Sequence, residues 1–167
     1  MASSRTMDDA LGEHASAIPR TAQMVAGYVD GDFAWSAADW ARFPHSAHVG
    51  ITVAGSAPHP LLASVVDVET GAFTALQSRG FVIARNDFRP GGLATVYCNL
   101  STLPAVRRSC RGLIYGLWIA HYTSEPPPAP DPQWGPGVVA VQWKDGDTTG
   151  TLYDSSVVFD PKWHPQP

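Results

Sequence analysis

The 167-residue sequence has the length of one domain, and its hydrophobic fraction of 44% is enough for a sizeable core. The net charge of -4 argues against a nucleic-acid groove and against a patch that binds an anionic membrane, because both need clustered Lys and Arg. No segment reaches the roughly 18–20 apolar residues of a membrane span, and the N-terminus lacks the apolar region of a signal peptide. We therefore expect a chain made in the cytoplasm, with neither nucleic acid nor membrane among its partners.

The first predicted element is an N-terminal arm or short leading helix over residues 1–20, which are small, polar and weakly amphipathic. Strand-like apolar runs follow in series, and several of them are continuous rather than alternating. Continuous runs are typical of strands covered on both faces, as in a parallel sheet. The predicted strands are Met24–Asp30, His48–Val53, Leu62–Glu69, Leu93–Cys98, Leu117–Tyr122, Val138–Trp143 and Leu152–Val158.

Three helices are predicted between these strands, over Ser36–Phe43, Thr74–Arg85 and Ser101–Arg111. A complete α/β barrel of eight units usually takes about 200–250 residues, more than this chain offers. The sequence therefore predicts an α/β fold, a shortened and irregular TIM-like barrel of about seven strands, with helices missing in its C-terminal third. The barrel domain is expected over residues 21–160, followed by a C-terminal tail at residues 161–167.

Acidic residues stand at the ends of several predicted strands. Asp67 and Glu69 end an apolar run, and because side chains alternate along a strand, both point to one face. Asp30 ends the first predicted strand and Asp154 lies in the last, and these two strands are neighbours in a closed barrel. Four carboxyls in one mouth raise the pKa of the least solvated member, which leaves one acid protonated among carboxylates. Cleavage of a glycosidic bond requires such a proton donor.

A simpler interpretation of these acids also exists. Asp67 and Glu69 would then be solvated residues at a strand end, before the turn at Thr70-Gly71. Asp32 is an alternative to Asp30, since the chain can bend at Gly31, but Asp30 is favoured because it directly ends the apolar run.

No metal site and no cofactor are predicted. His45 and His48 form the closest histidine pair, with no carboxylate or cysteine at ligand spacing. The sequence has no G-x-G-x-x-G motif, P-loop or nucleophile elbow. The spacing of Cys98 and Cys110 fits no metal motif, and two buried free thiols are favoured over a disulfide.

Several segments together resemble the glycoside hydrolase family 25 lysozymes and their actinobacterial and phage relatives. The resemblance follows the family's motif order and covers residues 22–160. It implies a barrel muramidase that cleaves the β-1,4 bond between N-acetylmuramic acid and N-acetylglucosamine, with peptidoglycan or a related glycan as its partner. The segments are Asp30 after a strand, DVE at Asp67–Glu69, TVYCN at Thr95–Asn99, LWIAHYT at Leu117–Thr123, VVAVQW at Val138–Trp143 and YDSSVVF at Tyr153–Phe159.

The resemblance also implies roles for the acids. Glu69 corresponds to the general acid, and Asp67 to the partner that stabilises the developing positive charge or orients the substrate's acetamido group. Asp30 and Asp154 would complete an acidic floor. The sequence departs from the family before the D-x-E strand, where a further βα unit is normal and only AGSAPHP, residues 54–60, intervenes. This departure predicts that part of the substrate cleft is absent.

Aromatic residues on the strands after the acid pair are candidates for sugar binding, because rings stack on sugar faces and their polar edges donate hydrogen bonds. Packing in the core and at the rim is the alternative role. The candidates are Tyr97, Trp118, Tyr122 and Trp143.

A second function stays open, that of a catalytically weak or inactive barrel serving as a structural or wall-binding component of a phage virion, for example in its tail. The expected absence of a signal peptide and of a separate wall-binding domain favours it, and the arm at residues 1–20 suits docking onto other phage structural proteins. In either case we expect the protein to act at the cell wall, after lysis or as part of a virion.

Overall fold

The computed structural model describes residues 5–53, 62–69, 72–89 and 92–163. Within these residues, eight strands form one closed barrel, in which each strand pairs with the next along the chain and the last pairs with the first. Neighbouring strands are parallel, except that the last strand runs antiparallel to both of its neighbours. The strands are β1 (Arg5–Asp9), β2 (Met24–Tyr28), β3 (Ala47–Thr52), β4 (Val65–Val68), β5 (Thr95–Asn99), β6 (Gly116–Ala120), β7 (Val138–Lys144) and β8 (Asp154–Val158).

Helices cover only part of this barrel. The longest described helix follows β4 and begins at Thr74, whose side chain accepts a hydrogen bond from the backbone N–H of Gln77 in a capping box. No described helix is long and apolar enough to cross a membrane. The α-helices are α1 (Ala37–Trp40), α2 (Ala75–Phe88), α3 (Leu103–Ser109) and α4 (Gly146–Thr149), and two 3-10 helices span Gly12–Ala17 and Pro132–Trp134.

The predicted α/β, TIM-like barrel with missing helices is confirmed. After β6 the described chain forms only a short 3-10 helix and the four-residue α4. The strand number is eight rather than about seven, because the sequence prediction missed β1.

β1 lies inside the segment that was predicted to be an N-terminal arm, so that prediction is wrong for Arg5–Asp9. This strand pairs with β2 and β8 and closes the barrel. Its sequence, RTMDD, contains one apolar residue, Met7, which is fully buried. The pattern of a strand is hidden because an acid, Asp9, occupies the next inward position after Met7.

The predicted C-terminal tail is wrong for Trp163, which is buried with the residues that fill the barrel. Its indole N–H donates to Thr95 Oγ1 at 2.9 Å, and its ring packs edge-on against Trp118. The Arg5 guanidinium donates to the carbonyl oxygens of Asp160 and Trp163, at 3.2 and 2.8 Å. The C-terminal segment therefore belongs to the barrel core as far as Trp163.

The alternation of side chains divides the core into an inner and an outer layer. Val66 and Val68 pack in the outer layer with residues of α2 and α3, such as Phe81 and Val106. Asp67, between the two valines, faces the interior of the barrel. The outer layer also contains Cys98 and Cys110, and both are buried free thiols, as expected.

Candidate active site

Four carboxyl groups meet at one mouth of the barrel: Asp9, Asp67, Glu69 and Asp154, which we call the acid cluster. Asp9 is the last residue of β1, and Asp67 and Glu69 lie at the end of β4. Asp154 is the first residue of β8, but this strand is antiparallel, so its beginning lies beside the end of β1. The mouth is formed by the carboxyl ends of the parallel strands, where α/β barrels carry their active sites.

Asp67 is the deeper acid of the pair on β4. It is 4% exposed, and Tyr28 Oη donates to its Oδ2 at 3.4 Å. Its Oδ1 is buried without a hydrogen-bond partner among the described residues. Burial, together with the charge of Glu69, raises the pKa of Asp67 to about 7, although the hydrogen bond from Tyr28 opposes the shift. Asp67 is therefore able to carry a proton near neutral pH.

Glu69 lies further out, at the rim of the mouth, and is half-buried. Burial raises its pKa, and a hydrogen bond with the Asn99 side chain opposes this shift. Asn99 Oδ1 accepts the backbone N–H groups of Ser101 and Thr102, at 3.1 and 3.0 Å. These bonds fix the Asn99 side chain at the end of β5, in reach of Glu69. Glu69 thus combines a raised pKa with a partly exposed side chain.

Asp154 is held by two donors. Gly146 N donates to its Oδ1 at 2.6 Å, and Gln142 Nε2 donates to its Oδ2. Gln142 is itself buried, and its Oε1 accepts from Tyr97 Oη at 2.5 Å. Burial raises the pKa of Asp154 to about 6, partly offset by these two hydrogen bonds and increased by nearby Asp145.

Asp9 was missed by the sequence analysis, although it is the most deeply placed member of the acid cluster together with Asp67. It is 7% exposed and lies directly opposite Asp154 across the β1/β8 pair. Burial, followed by the charges of neighbouring acids, raises its pKa well above the ordinary value. The available signal was the alternation of Met7 and Asp9 in a short polar segment.

Asp30 was expected in this mouth, and that prediction is wrong. Its carboxyl oxygens accept hydrogen bonds from Thr52 Oγ1 and from Val53 N, the latter at 2.8 Å, so that it ties the end of β2 to the end of β3. The chain bends just after it, at Gly31, which has a φ of 74°. Tyr28 is the side chain of β2 that reaches Asp67. Asp9 takes the place that was predicted for Asp30.

The four aromatic candidates have three different environments. Tyr122 is 53% exposed at the rim, whereas Tyr97 lies beneath the cleft floor and supports Gln142. Trp118 is fully buried in the barrel, where its indole N–H donates to Ser156 Oγ at 3.0 Å. Trp143 packs against the outer layer. The prediction of sugar contact is therefore wrong for Trp118 and Trp143, because neither ring faces the cleft.

A cavity of about 390 Å³ adjoins the acid cluster. Its volume lies within the range of small-molecule sites, about 300–1,000 Å³. Its lining includes Asp9 and Asp154 of the acid cluster, together with residues of the 3-10 helix after β1 and of the segment between β7 and β8. The lining residues are Asp9, Ala10, Leu11, His14, Tyr28, Tyr122, Asp145, Asp147, Leu152, Tyr153 and Asp154.

The sequence of this chain matches no family model and no curated protein. Its structure is similar to solved structures over nearly the whole chain. A family 25 glycoside hydrolase lysozyme from Aspergillus fumigatus is 15% identical, with a TM-score of 0.59 and coverage of 96% of both chains. A muramidase from Trichobolus zukalii is 13% identical, with a TM-score of 0.61 and coverage of 96% of this chain and 99% of the other.

A bacterial lysozyme from Streptomyces coelicolor shares the same architecture. It is 10% identical, with a TM-score of 0.55 and coverage of 99% of both chains. The similarity therefore spans fungal and bacterial proteins. This chain has the fold of the glycoside hydrolase family 25 lysozymes.

Proposed function

We propose that this protein is a peptidoglycan hydrolase, a muramidase that cleaves the β-1,4 bond between N-acetylmuramic acid and N-acetylglucosamine. The observation that carries the proposal is the placement of Asp67 and Glu69 on one strand end, in one mouth, with raised pKa values. Glycosidic cleavage needs a proton donor next to a group that stabilises positive charge on the sugar. The fold shared with lysozymes and muramidases supports this chemistry.

Glu69 is proposed as the general acid. It is the member of the β4 pair that is only half-buried, and burial raises its pKa. A raised pKa keeps a larger fraction of the side chain protonated at slightly acidic pH. The proton would pass to the glycosidic oxygen of the leaving sugar as the bond breaks, a contribution of about 10²–10⁴-fold in rate.

Asp67 is proposed as the partner of Glu69. Its carboxyl lies deeper in the same mouth and is oriented by Tyr28. In its ionised form it would stabilise the positive charge that develops on the sugar ring, or orient the acetamido group of the substrate. Asp154, held by Gln142 and Gly146, would complete the floor.

We propose that the protein acts at the bacterial cell wall. The virion alternative depended in part on a free arm at residues 1–20. Within the described residues, this segment forms β1 and the 3-10 helix Gly12–Ala17, so residues 5–17 are part of the barrel rather than a docking arm. The hydrolase is therefore the function that the geometry favours.

The test is the release of reducing ends from purified peptidoglycan. The unmodified protein should release them, and Glu69→Gln should abolish the release without lowering the melting temperature. Glu125→Gln is the matched control, because it makes the same chemical change at an exposed loop residue. If the unmodified protein binds peptidoglycan but releases no reducing ends, the hydrolase proposal is wrong.

A further inference from the structure

Another cavity lies on the outer face of β2 and β3, away from the acid cluster. Its volume is about 270 Å³, close to the lower end of small-molecule sites, about 300–1,000 Å³. On β3, His48 and Gly50 line this cavity and alternate with Val49 and Ile51, which fill the barrel. The wall of the barrel therefore separates this cavity from the mouth. Its described lining residues are Val29, Trp35, Trp40, His48, Gly50 and Leu62.

Two directly opposed glycines open this outer face. Gly27 of β2 pairs with Gly50 of β3, so no side chain fills the space above either position. The ring of Trp35 lies over Gly27, where a Cβ would approach the ring to 2.4 Å. At Gly50, a Cβ would lie 2.5 Å from the carbonyl oxygen of Leu62. Gly50 therefore contributes bare backbone to a cavity whose aromatic wall includes Trp35.

The aromatic wall is held from several sides. Trp35 is buried, and its indole N–H donates to Ala10 O at 2.8 Å. The ring of Trp40 packs against the rings of Trp35 and His48, with centroids 4.6 and 5.1 Å apart. Trp40 is the last residue of α1, which begins with a capping box at Ser36. The rings are thus in place before a ligand arrives, which lowers the entropic cost of binding.

Two ring nitrogens of this wall have unused hydrogen-bonding capacity. His48 Nε2 donates to Phe43 O at 2.8 Å, because a carbonyl oxygen only accepts, and Nδ1 of the neutral ring is then an acceptor. The indole N–H of Trp40 is a donor. Within the described residues, neither His48 Nδ1 nor the Trp40 N–H forms a hydrogen bond, and both side chains are only half-buried. The lining of the cavity therefore carries one spare donor and one spare acceptor beside apolar rings.

We propose that this cavity is a second glycan-binding site, which takes the acetamido group of one N-acetylated sugar. An acetamido group combines an N–H donor, a carbonyl acceptor and an apolar methyl group. These match His48 Nδ1, the Trp40 indole N–H and the aromatic wall. The choice of ligand rests on the proposed function, because the glycan of peptidoglycan consists of N-acetylated sugars. The site itself is separate from catalysis, and its role is to hold the protein on the glycan.

The first test follows the indole N–H signals by ¹H–¹⁵N NMR while N-acetylglucosamine is added to the unmodified protein. This monosaccharide has no glycosidic bond to cleave, and glucose, which lacks the acetamido group, is the control ligand. We expect the Trp40 signal to shift with N-acetylglucosamine and to stay in place with glucose. The Trp134 signal should move with neither sugar, although this ring also packs against a histidine, His121.

The second test uses matched substitutions. Trp40→Phe keeps an aromatic ring and removes the N–H donor, and Trp134→Phe makes the same change outside the cavity. Both are made in a Glu69→Gln background, so that the glycan stays intact, and thermal unfolding checks that both variants are folded. Trp40→Phe should bind insoluble peptidoglycan about fivefold more weakly than its parent, the size of one lost hydrogen bond. Trp134→Phe should bind as tightly as the parent.

An unmoved Trp40 signal, an equal shift with glucose, or equal weakening by the two substitutions would overturn the inference. These outcomes are independent of hydrolysis. A shift of the Trp40 signal in a protein that releases no reducing ends from peptidoglycan would instead overturn the proposed hydrolase alone and leave the second site standing.

Discussion

Asp9 and Asp154 face each other directly across the antiparallel pair of β1 and β8. Directly opposed residues in a sheet project to the same face, so both carboxyls enter the mouth together. The reversed direction of β8 is what brings its first residue to the carboxyl ends of the parallel strands. The strand pair that closes the barrel therefore also completes the acid cluster.

The rate of hydrolysis should fall as the pH rises through about 7. The proposed reaction needs one proton shared between Asp67 and Glu69, and the pair loses this proton as the pH rises through about 7, the pKa of Asp67. Tyr28→Phe removes a hydrogen bond that favours the ionised form of Asp67. The alkaline limb of the pH–rate profile should therefore move upward, by less than about one pH unit. Movement toward lower pH would contradict the proposed role of Tyr28.

Asp67→Asn should abolish most activity and yet stabilise the protein at neutral pH. The folded state holds the Asp67 proton up to about pH 7, whereas the unfolded chain releases it near the ordinary aspartate pKa of 3.8. The native state therefore binds more protons in this window, and the free energy of unfolding falls as the pH rises from about 4 to 7. Asn does not titrate, so the variant should gain up to about 4 kcal/mol at pH 7 and little at pH 4.

Urea unfolding at the two pH values measures this difference. The control is Asp87→Asn, the same substitution at an exposed position on α2. A stability gain of equal size at pH 4 and pH 7 would show that packing, rather than the buried charge of Asp67, is responsible.

Gln142→Leu should raise the pKa of Asp154 above its value of about 6. The amide of Gln142 donates to Asp154, and this bond favours the ionised carboxyl. Tyr97→Phe should have a smaller effect in the same direction, because it removes only the bond that orients Gln142. Carboxyl ¹³C titration of Asp154 in the unmodified protein and in both variants measures the order of the three pKa values. An unchanged Asp154 in Gln142→Leu would show that Gly146 N alone determines its charge.

Tyr122→Ala and Trp143→Ala should separate sugar binding from folding. Tyr122 is exposed at the rim, so its loss should weaken binding of the N-acetylglucosamine tetramer by roughly three- to tenfold and leave the melting temperature unchanged. Trp143 packs on the outer layer, so its loss should cost about 1–3 kcal/mol of stability without changing affinity. Calorimetric titration and thermal unfolding of both variants test the pair. Weaker tetramer binding by Trp143→Ala, with unchanged stability, would contradict the placement of Trp143 outside the cleft.

Local sequence patterns were sufficient to predict many features of this protein. Apolar runs predicted β2 to β8, and the alternation of Val66, Asp67, Val68 and Glu69 predicted two acids on one face. The length of the chain predicted a barrel with missing helices. These features depend on neighbours in the sequence, because side-chain direction along a strand repeats every two residues.

Other features depend on which distant segments meet. The sequence of β1 is polar because even one of its inward-facing positions is an acid, Asp9. Only the pairing with β2 and β8 makes this segment a strand. Asp30 has the sequence context of a cleft acid, but Thr52 and Val53, at the end of the neighbouring strand, bind its carboxyl. Trp118 and Tyr122 lie on the same segment, yet one fills the barrel and the other stands at the rim. The sequence by itself determined the strand order, the shortened barrel and the acid pair on β4. Tertiary structure alone decided which other acids and aromatic rings reach the mouth, because burial and hydrogen-bond partners come from strands far apart in the chain.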